Sequence, residues 1–368
     1  MVDVKGFNHE KPFIMSGGLR KLKSVELEKG NYENVLLGTS RVMRGLNPQN
    51  PVFNSRPVYN AGLPGANIYE ILKTFEFANN HEHLKTVVVG LDVFSFNSKI
   101  KPKADYYESK FSGSYNKFNF IFSELFSIEK FIRSLSTINF NLRNQHDEYI
   151  INGFMQKEEA PEYNRRKLFI EKIKSYITLE KLYPGLYDSP EKLELLKEVF
   201  NHRKDDTKLY LFISPIHAYQ LEGMRSINRF SRFEEWKRDL VKIIAEDAVK
   251  NPKKQPIILW DFSGYNSVTT EKISPTGSKK EMKWYWEPSH YKKELGDLVL
   301  DVMFNYPNKS KNAPSDFGVV IDSSNIESHL QKIRAEQARY QQNFPEEVEI
   351  IERLKRETAH LRGKNNIN

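Results

Sequence analysis

Cysteine is absent from the 368-residue chain. Disulfides, thiolate metal sites and a cysteine nucleophile are thereby excluded. Apolar runs are short as well, none approaching the about 18 residues that a membrane-spanning helix needs. No dense Arg/Lys tract, zinc-finger spacing or RNP-like motif appears, so nucleic acid is not an expected partner. There is no His-Glu-x-x-His pattern, and His81 and His83 stand two apart and share no helix face, so neither a metal nor another cofactor is expected. No internal repeat is found. Met1–Val2 leads straight into the polar segment Asp3–Pro12 with no apolar signal-peptide stretch, as expected where an upstream portion has been removed.

What is present is a globular composition. Hydrophobic residues make up 39% and charged residues 28%, with 24 Phe and 18 Tyr. That is ample core material, although aromatic wealth also suits carbohydrate surfaces. Lys+Arg 56 against Asp+Glu 48 leaves a net charge of +8. The excess is spread along the chain and reads as solvated surface, with attraction to an anionic glycan or membrane face as the functional alternative.

Four apolar runs read as buried strands: Asn34–Gly38, Thr86–Leu91, Lys208–Ser214 and Pro256–Asp261, with Pro57–Asn60 as a shorter fifth. Continuous β-branched and Leu-rich runs fit a parallel sheet covered on both faces. Helical stripes lie between them, over Ala66–Asn79, Arg232–Val249 and Tyr291–Phe304. The alternation predicts an α/β fold, a doubly wound, mostly parallel sheet with helices on both faces in three layers. The interval 98–205 reads as a large helical insertion, either a substrate-binding face or a passive elaboration. The segment from Ser324 to about Arg362 reads as a charged helical tail interrupted near Pro345.

In such a sheet, ligands bind beyond the carboxyl ends of the strands. Polar and glycine residues collect there: Ser40 and Arg41, then Asn60, Gly62 and Gly65, then Asp92, then His217, then Asp261. Ser40 stands where a strand turns into a helix. A hydroxyl there projects from the sheet edge, with a helix N-cap as the plain alternative. Gly62 offers an unhindered N–H to an oxyanion, or simple turn chemistry. A serine nucleophile needs a base, and the base needs an acid to fix its tautomer. Glu287 and His290, three apart across a turn, supply that pair, and His217 is the alternative base. Trp284, Tyr285 and Trp286 offer a platform for a sugar face, or core packing.

Together and in this order the motifs resemble the SGNH (GDSL-like) hydrolase superfamily over about residues 33 to 305. Gly38-Thr39-Ser40 stands for Gly-Asp-Ser. Asn60, Gly62 and Gly65 match the glycine turn. Gly90-Leu91-Asp92 stands for Gly-x-Asn, and Glu287 with His290 for Asp-x-x-His. The resemblance implies Ser40 as nucleophile, His290 as base, Glu287 as acid, and an oxyanion hole from Ser40, Gly62 and the Asp92 position. An ionised Asp92 cannot donate a hydrogen bond as the family's asparagine does. It is then protonated, or positions another group, or leaves the hole to backbone amides. Arg41, Asn60, His217, Tyr285 and Trp286 are the substrate-binding candidates.

Gly-Thr-Ser-Arg, Leu-Asp-x-Phe and the late Ser-His look similar to a divergent extracytoplasmic branch. That branch serves O-acetylation of alginate and related exopolysaccharides and D-alanylation of teichoic acid. The resemblance implies an esterase or O-acyltransferase acting on a polysaccharide, periplasmic or on the outer face of the cytoplasmic membrane, with a membrane-bound O-acyltransferase as partner. A catalytically weak, glycan-binding assembly protein is the other class considered. A monomer is expected. By this reading residues 1–32 follow a removed membrane anchor, with Gly6-Phe7-Asn8 as its remnant. Residues 33–97 and 206–322 form the SGNH-like domain, 98–205 the insertion and 323–368 the tail.

Overall fold

The computed structural model describes residues 7, 18–81, 83–113, 128–143, 149–155, 164–179, 182–305 and 313–359. Gly6 and Asn8 of the expected anchor remnant lie outside the described residues. The strands are β1 (Asn34–Leu37), β2 (Val58–Asn60), β3 (Thr86–Leu91), β4 (Tyr149–Ile151), β5 (Phe154–Met155), β6 (Lys208–Ile213), β7 (Ile258–Asp261), β8 (Tyr285–Glu287), β9 (His290–Tyr291) and β10 (Val319–Val320). The helices are α1 (Leu19–Lys29), α2 (Ser40–Gly45), α3 (Ile68–His81), α4 (Ala104–Tyr107), α5 (Ile128–Leu142), α6 (Arg165–Thr178), α7 (Leu193–His202), α8 (Ala218–Ser226), α9 (Phe230–Lys250), α10 (Lys293–Phe304), α11 (Ile326–Asn343) and α12 (Pro345–Glu357).

The main sheet has six strands in the order β10-β7-β6-β3-β1-β2. Its five longer members run parallel, with Leu36 beside Val88, Val89 beside Leu211 and Phe212 beside Trp260. Val35, Leu36, Val87, Val88, Leu211 and Phe212 are wholly buried, as expected of strands covered on both faces. β10 closes one edge antiparallel to β7. The architecture is thus α/β, a mostly parallel sheet flanked by helices. The chain order reverses between β1 and β3, and in open sheets that switch point is where ligands settle.

The stripes foreseen on the helices face inward: Ile71, Leu72 and Phe75 on α3, Trp236 and Leu240 on α9, Leu295 and Val299 on α10 are buried. The helix expected from Tyr291 starts instead at Lys293, because His290–Tyr291 pairs back onto Tyr285–Glu287 as a separate hairpin. In the 98–205 interval, β4 and β5 form a second hairpin that no clean apolar run announced. There α6 packs on α8, α12 and β8, while α7 packs on α3 and α9.

The tail lies against the domain. His329 Nε2 meets Asp261 Oδ2 at 2.9 Å, and Asp261 also accepts from Lys237 Nζ at 2.6 Å. Gln337 donates to Tyr265 Oη at 2.7 Å, and Leu330 and Ile333 are buried. Asp261, one of the polar residues at strand ends, therefore fastens α11 to the sheet. No helix among the described residues is long and apolar enough to cross a membrane.

α2 and α10 cross backbone to backbone, since a Cβ on Gly296 would stand 1.8 Å from the Gly45 carbonyl oxygen. Rigid neighbours cannot absorb such a clash. Gly296→Ala is expected to cost about 3 kcal/mol, the upper end of overpacking. The check is a lower urea midpoint at unchanged slope.

Candidate active site

β1 is followed by Gly38 with φ +148°, a region that side chains rarely adopt, and a Cβ there would lie 2.5 Å from Val42. The chain can therefore turn at once into α2. Thr39 caps that helix, its hydroxyl accepting from Arg41 N at 3.3 Å. Ser40 is the first helical residue, half-buried at the carboxyl end of β1 beside the switch point. Among the described residues its own N–H has no acceptor, as expected at a helix start.

The Ser40 hydroxyl lies 2.8 Å from His290 Nε2, across 250 positions of sequence. His290 Nδ1 bonds Glu287 Oε1, and Glu287 Oε2 accepts from Ser289 N at 2.9 Å. A carboxylate on Nδ1 fixes the proton there and leaves Nε2 as acceptor for the serine, the arrangement a hydroxyl nucleophile requires. The Glu287 side chain is fully buried, whereas 15% of the His290 side chain is exposed. Base and hydroxyl are reachable and the acid is sealed.

Burial lowers the His290 pKa below its ordinary value of 6.5, Glu287 opposing that effect and Arg44 and Arg41 reinforcing it. Burial alone would raise the Glu287 carboxyl, but the charge and hydrogen bond of His290 hold it at about 2. The resting pair is neutral imidazole and ionised carboxylate.

Asp92 does not join the oxyanion hole in this arrangement. Its Oδ1 accepts from Arg41 Nη1, and its Oδ2 from Thr39 Oγ1 at 2.5 Å. Of the roles open to it, it takes that of positioning another group. Gly62 is also committed elsewhere, its N–H donating to Asn60 Oδ1 at 3.0 Å. Glycine is required there because a Cβ would stand 2.5 Å from Met43 N. Asn60 Nδ2 in turn donates to the carbonyls of Val42 and Leu46, both at 2.8 Å. The turn is pinned from below by Lys23, which donates to Asn60 O at 2.8 Å, Gly62 O at 2.7 Å and Gly153 O at 2.7 Å. Ser40 N–H is the one donor of the expected hole left uncommitted.

The five substrate-binding candidates all turn inward. Arg41 is 3% exposed, its guanidinium reaching Ser289 O at 2.7 Å and Ser289 Oγ at 2.9 Å. Asn60 is wholly buried in the turn just described. His217 caps α8, accepting from Tyr219 N at 3.1 Å through Nδ1 and donating to Glu271 O at 2.7 Å through Nε2. Burial depresses its pKa to about 4. With both nitrogens engaged it is no alternative base. Tyr285 is buried, donating to Pro215 O at 2.9 Å, and Trp286 lies between the Arg165 and Lys292 cations. Neither presents a face to a sugar.

Two residues that sequence reasoning passed over belong to the site. Ser289 had figured only as the neighbour of His290, and Tyr176 of the insertion lies 2.6 Å from its hydroxyl. No periodicity or motif announces Tyr176, because its partner is 113 positions away. No protein-family model matches the chain, and no curated protein matches it.

Only neutral His290 can take a proton, so acylation of Ser40 is expected to rise with pH along one ionisation below 6.5. Glu287→Gln, which disturbs the tautomer, should lower the acylation rate by about 10⁴-fold. Stopped-time labelling with a fluorophosphonate across pH 4 to 9 measures both. Stability follows the same sign. Folded pKa values below the unfolded ones, 6.5 for His290 and 4.5 for Glu287, give stabilisation present above those values and lost as pH falls below them, towards about 2 for Glu287.

Proposed function

We propose that this protein is an SGNH-type serine enzyme of acyl ester chemistry, an O-acetyltransferase or O-acetylesterase of a bacterial cell-surface or secreted polysaccharide. The observation that carries the reading is the continuous relay from the Ser40 hydroxyl through His290 to the buried Glu287. It stands beside the switch point of a parallel sheet, with the parts in the order that the sequence resemblance implies.

In this reading Ser40 Oγ attacks the ester carbonyl while His290 Nε2 takes the hydroxyl proton. Glu287 stabilises the imidazolium, and the oxyanion is received by Ser40 N–H. Collapse expels the donor's alkoxide, which takes the proton from His290 and leaves as an alcohol, with the acyl group on Ser40. An acceptor hydroxyl then gives its proton to His290 and attacks the acyl-serine, and collapse breaks the acyl–Ser40 bond as Ser40 Oγ takes the proton back from His290. Water as acceptor makes an esterase, and a sugar hydroxyl makes a transferase. The reading also includes an extracytoplasmic location behind an N-terminal anchor, and acyl supply by a membrane-bound O-acyltransferase.

The commitments of Gly62 N–H and Asp92 favour a second reading, an SGNH-fold protein that binds glycan with little turnover. A missing oxyanion donor costs about 10²–10³ in rate. Slow hydrolysis of nitrophenyl acetate is therefore expected, together with fluorophosphonate labelling that Ser40→Ala abolishes. No labelling of the wild type, or labelling that survives Ser40→Ala, rejects the serine mechanism. An acetyl donor supplied with polysaccharide fragments should give acetylated glycan by mass spectrometry, and deacetylation alone would leave only the esterase.

A further inference from the structure

A buried arginine joins the nucleophile's helix to the acid–base turn, and nothing in the relay itself accounts for it. Arg41 follows Ser40 directly. Its Nε and Nη2 bond the carbonyl and hydroxyl of Ser289 at 2.7 and 2.9 Å. Ser289 lies between the acid and the base, and its N–H holds Glu287 Oε2 at 2.9 Å. Every polar atom of Ser289 is thus used, and the remaining contact, at 2.6 Å, comes from Tyr176 of the insertion.

The guanidinium is itself fixed. Asp92 neutralises it through Nη1, and Thr39 orients Asp92 at 2.5 Å. The Gln220 amide, turned so that its oxygen faces Arg41, accepts from Nη2 at 3.2 Å and donates to Pro288 O at 2.8 Å. Phe94 stacks under the guanidinium at 5.0 Å. Thr39 and Asp92, two of the positions that depart from the family pattern, both help to hold this arginine.

We propose that Arg41, held by Asp92 and Thr39, is a positioning residue that sets the Glu287–Ser289–His290 turn against Ser40, and that Tyr176 ties the helical insertion to the same turn. The proposal rests on the serine relay described above and adds how that relay is kept in register. A guanidinium suits the task because its planar fork reaches separate acceptors in fixed directions, which a lysine ammonium does not reproduce.

The experiment uses the full chain and two readouts. One is the rate of fluorophosphonate labelling. The other is the far-downfield ¹H NMR signal of the His290 Nδ1 proton, which reports the Glu287 contact without turnover. Removing Arg41 alone strands a buried Asp92 charge, so the informative variant is the pair Arg41→Met with Asp92→Leu, which removes both charges without placing an amide donor beside Ser40. Misplacement of the base by about 1 Å should slow labelling about 100-fold. The downfield proton should weaken or exchange faster while the circular dichroism stays native. Arg41→Lys should not rescue the rate. Should the double variant not fold, Tyr176→Phe removes one hydrogen bond and is expected to slow labelling about tenfold, and Ser289→Ala, which removes two, is expected to slow it further. Wild-type labelling and an unchanged downfield proton in the folded double variant, or in both hydroxyl variants, overturn the proposal. Labelling that persists in Ser40→Ala overturns the serine mechanism instead, and leaves the proton signal to decide the role of Arg41.

Discussion

The acid and the base sit on a hairpin that is not part of the main sheet. β8 and β9 pair at only two positions, Tyr285 with Tyr291 and Glu287 with His290, with an irregularity between them. An isolated two-stranded hairpin is at best marginal in water. What fixes His290 against Ser40 is therefore not the ladder but the contacts that grip the hairpin from outside. Arg41 holds its tip, and Pro288 O accepts from His217 N at 3.1 Å. Arg165 reaches Trp286 O, and Lys292 Nζ donates to Met282 O at 2.6 Å. Several of these grips come from charged side chains that are almost wholly buried, which changes their energetics.

Burying an ion costs several kcal/mol unless another charge and enough hydrogen bonds compensate it. For Arg41, burial works against the charge, and Asp92, with Tyr176 and Tyr183, more than offsets it, so the guanidinium stays protonated. The same economy explains why His217, buried without a carboxylate, is neutral and acts as a plain cap. Lys23 shows an intermediate case. Burial pushes its ammonium down to about 7, with Glu26 acting in the opposite direction. The three carbonyls it meets match its three donors, so its geometry is that of the charged form. Buried charges in this chain thus hold backbone turns in place, and the turns they hold are those that carry Gly62 and Glu287.

How far the sequence could be read follows from the same physics. β1, β3, β6 and β7 were legible because strands buried on both faces must be continuously apolar, while the two-residue edge strand β10 leaves no such run. Ser40, His290 and Glu287, which the structure brings together, were singled out by the resemblance that the order of the motifs carries. Arg41, Asn60 and His217 were read as lying near strand ends, and Tyr285 and Trp286 as a platform beside the acid, yet position along the chain does not say which way a side chain turns. Each of them turns inward. Asp92 was the hardest to read, because its partner Arg41 lies 51 positions upstream and only coordinates reveal that Thr39 completes the group.

The protonation of the relay sets what the site can do. A general base is most effective when its pKa lies near the working pH, and burial moves His290 below that point. Glu287 works against the shift, and its own carboxyl stays ionised because the imidazole and the Ser289 N–H both favour its charge. Two cationic side chains, Arg44 and Arg41, push His290 further down. Asp92 lessens the cost of Arg41 by pairing with it. The Asp92 carboxylate therefore has a compensating electrostatic task. It lets a buried arginine brace the acid–base turn without leaving an unopposed positive charge beside the base. A chain with Arg41 and an asparagine in place of Asp92 would lack the counter-charge, so the two positions are physically coupled.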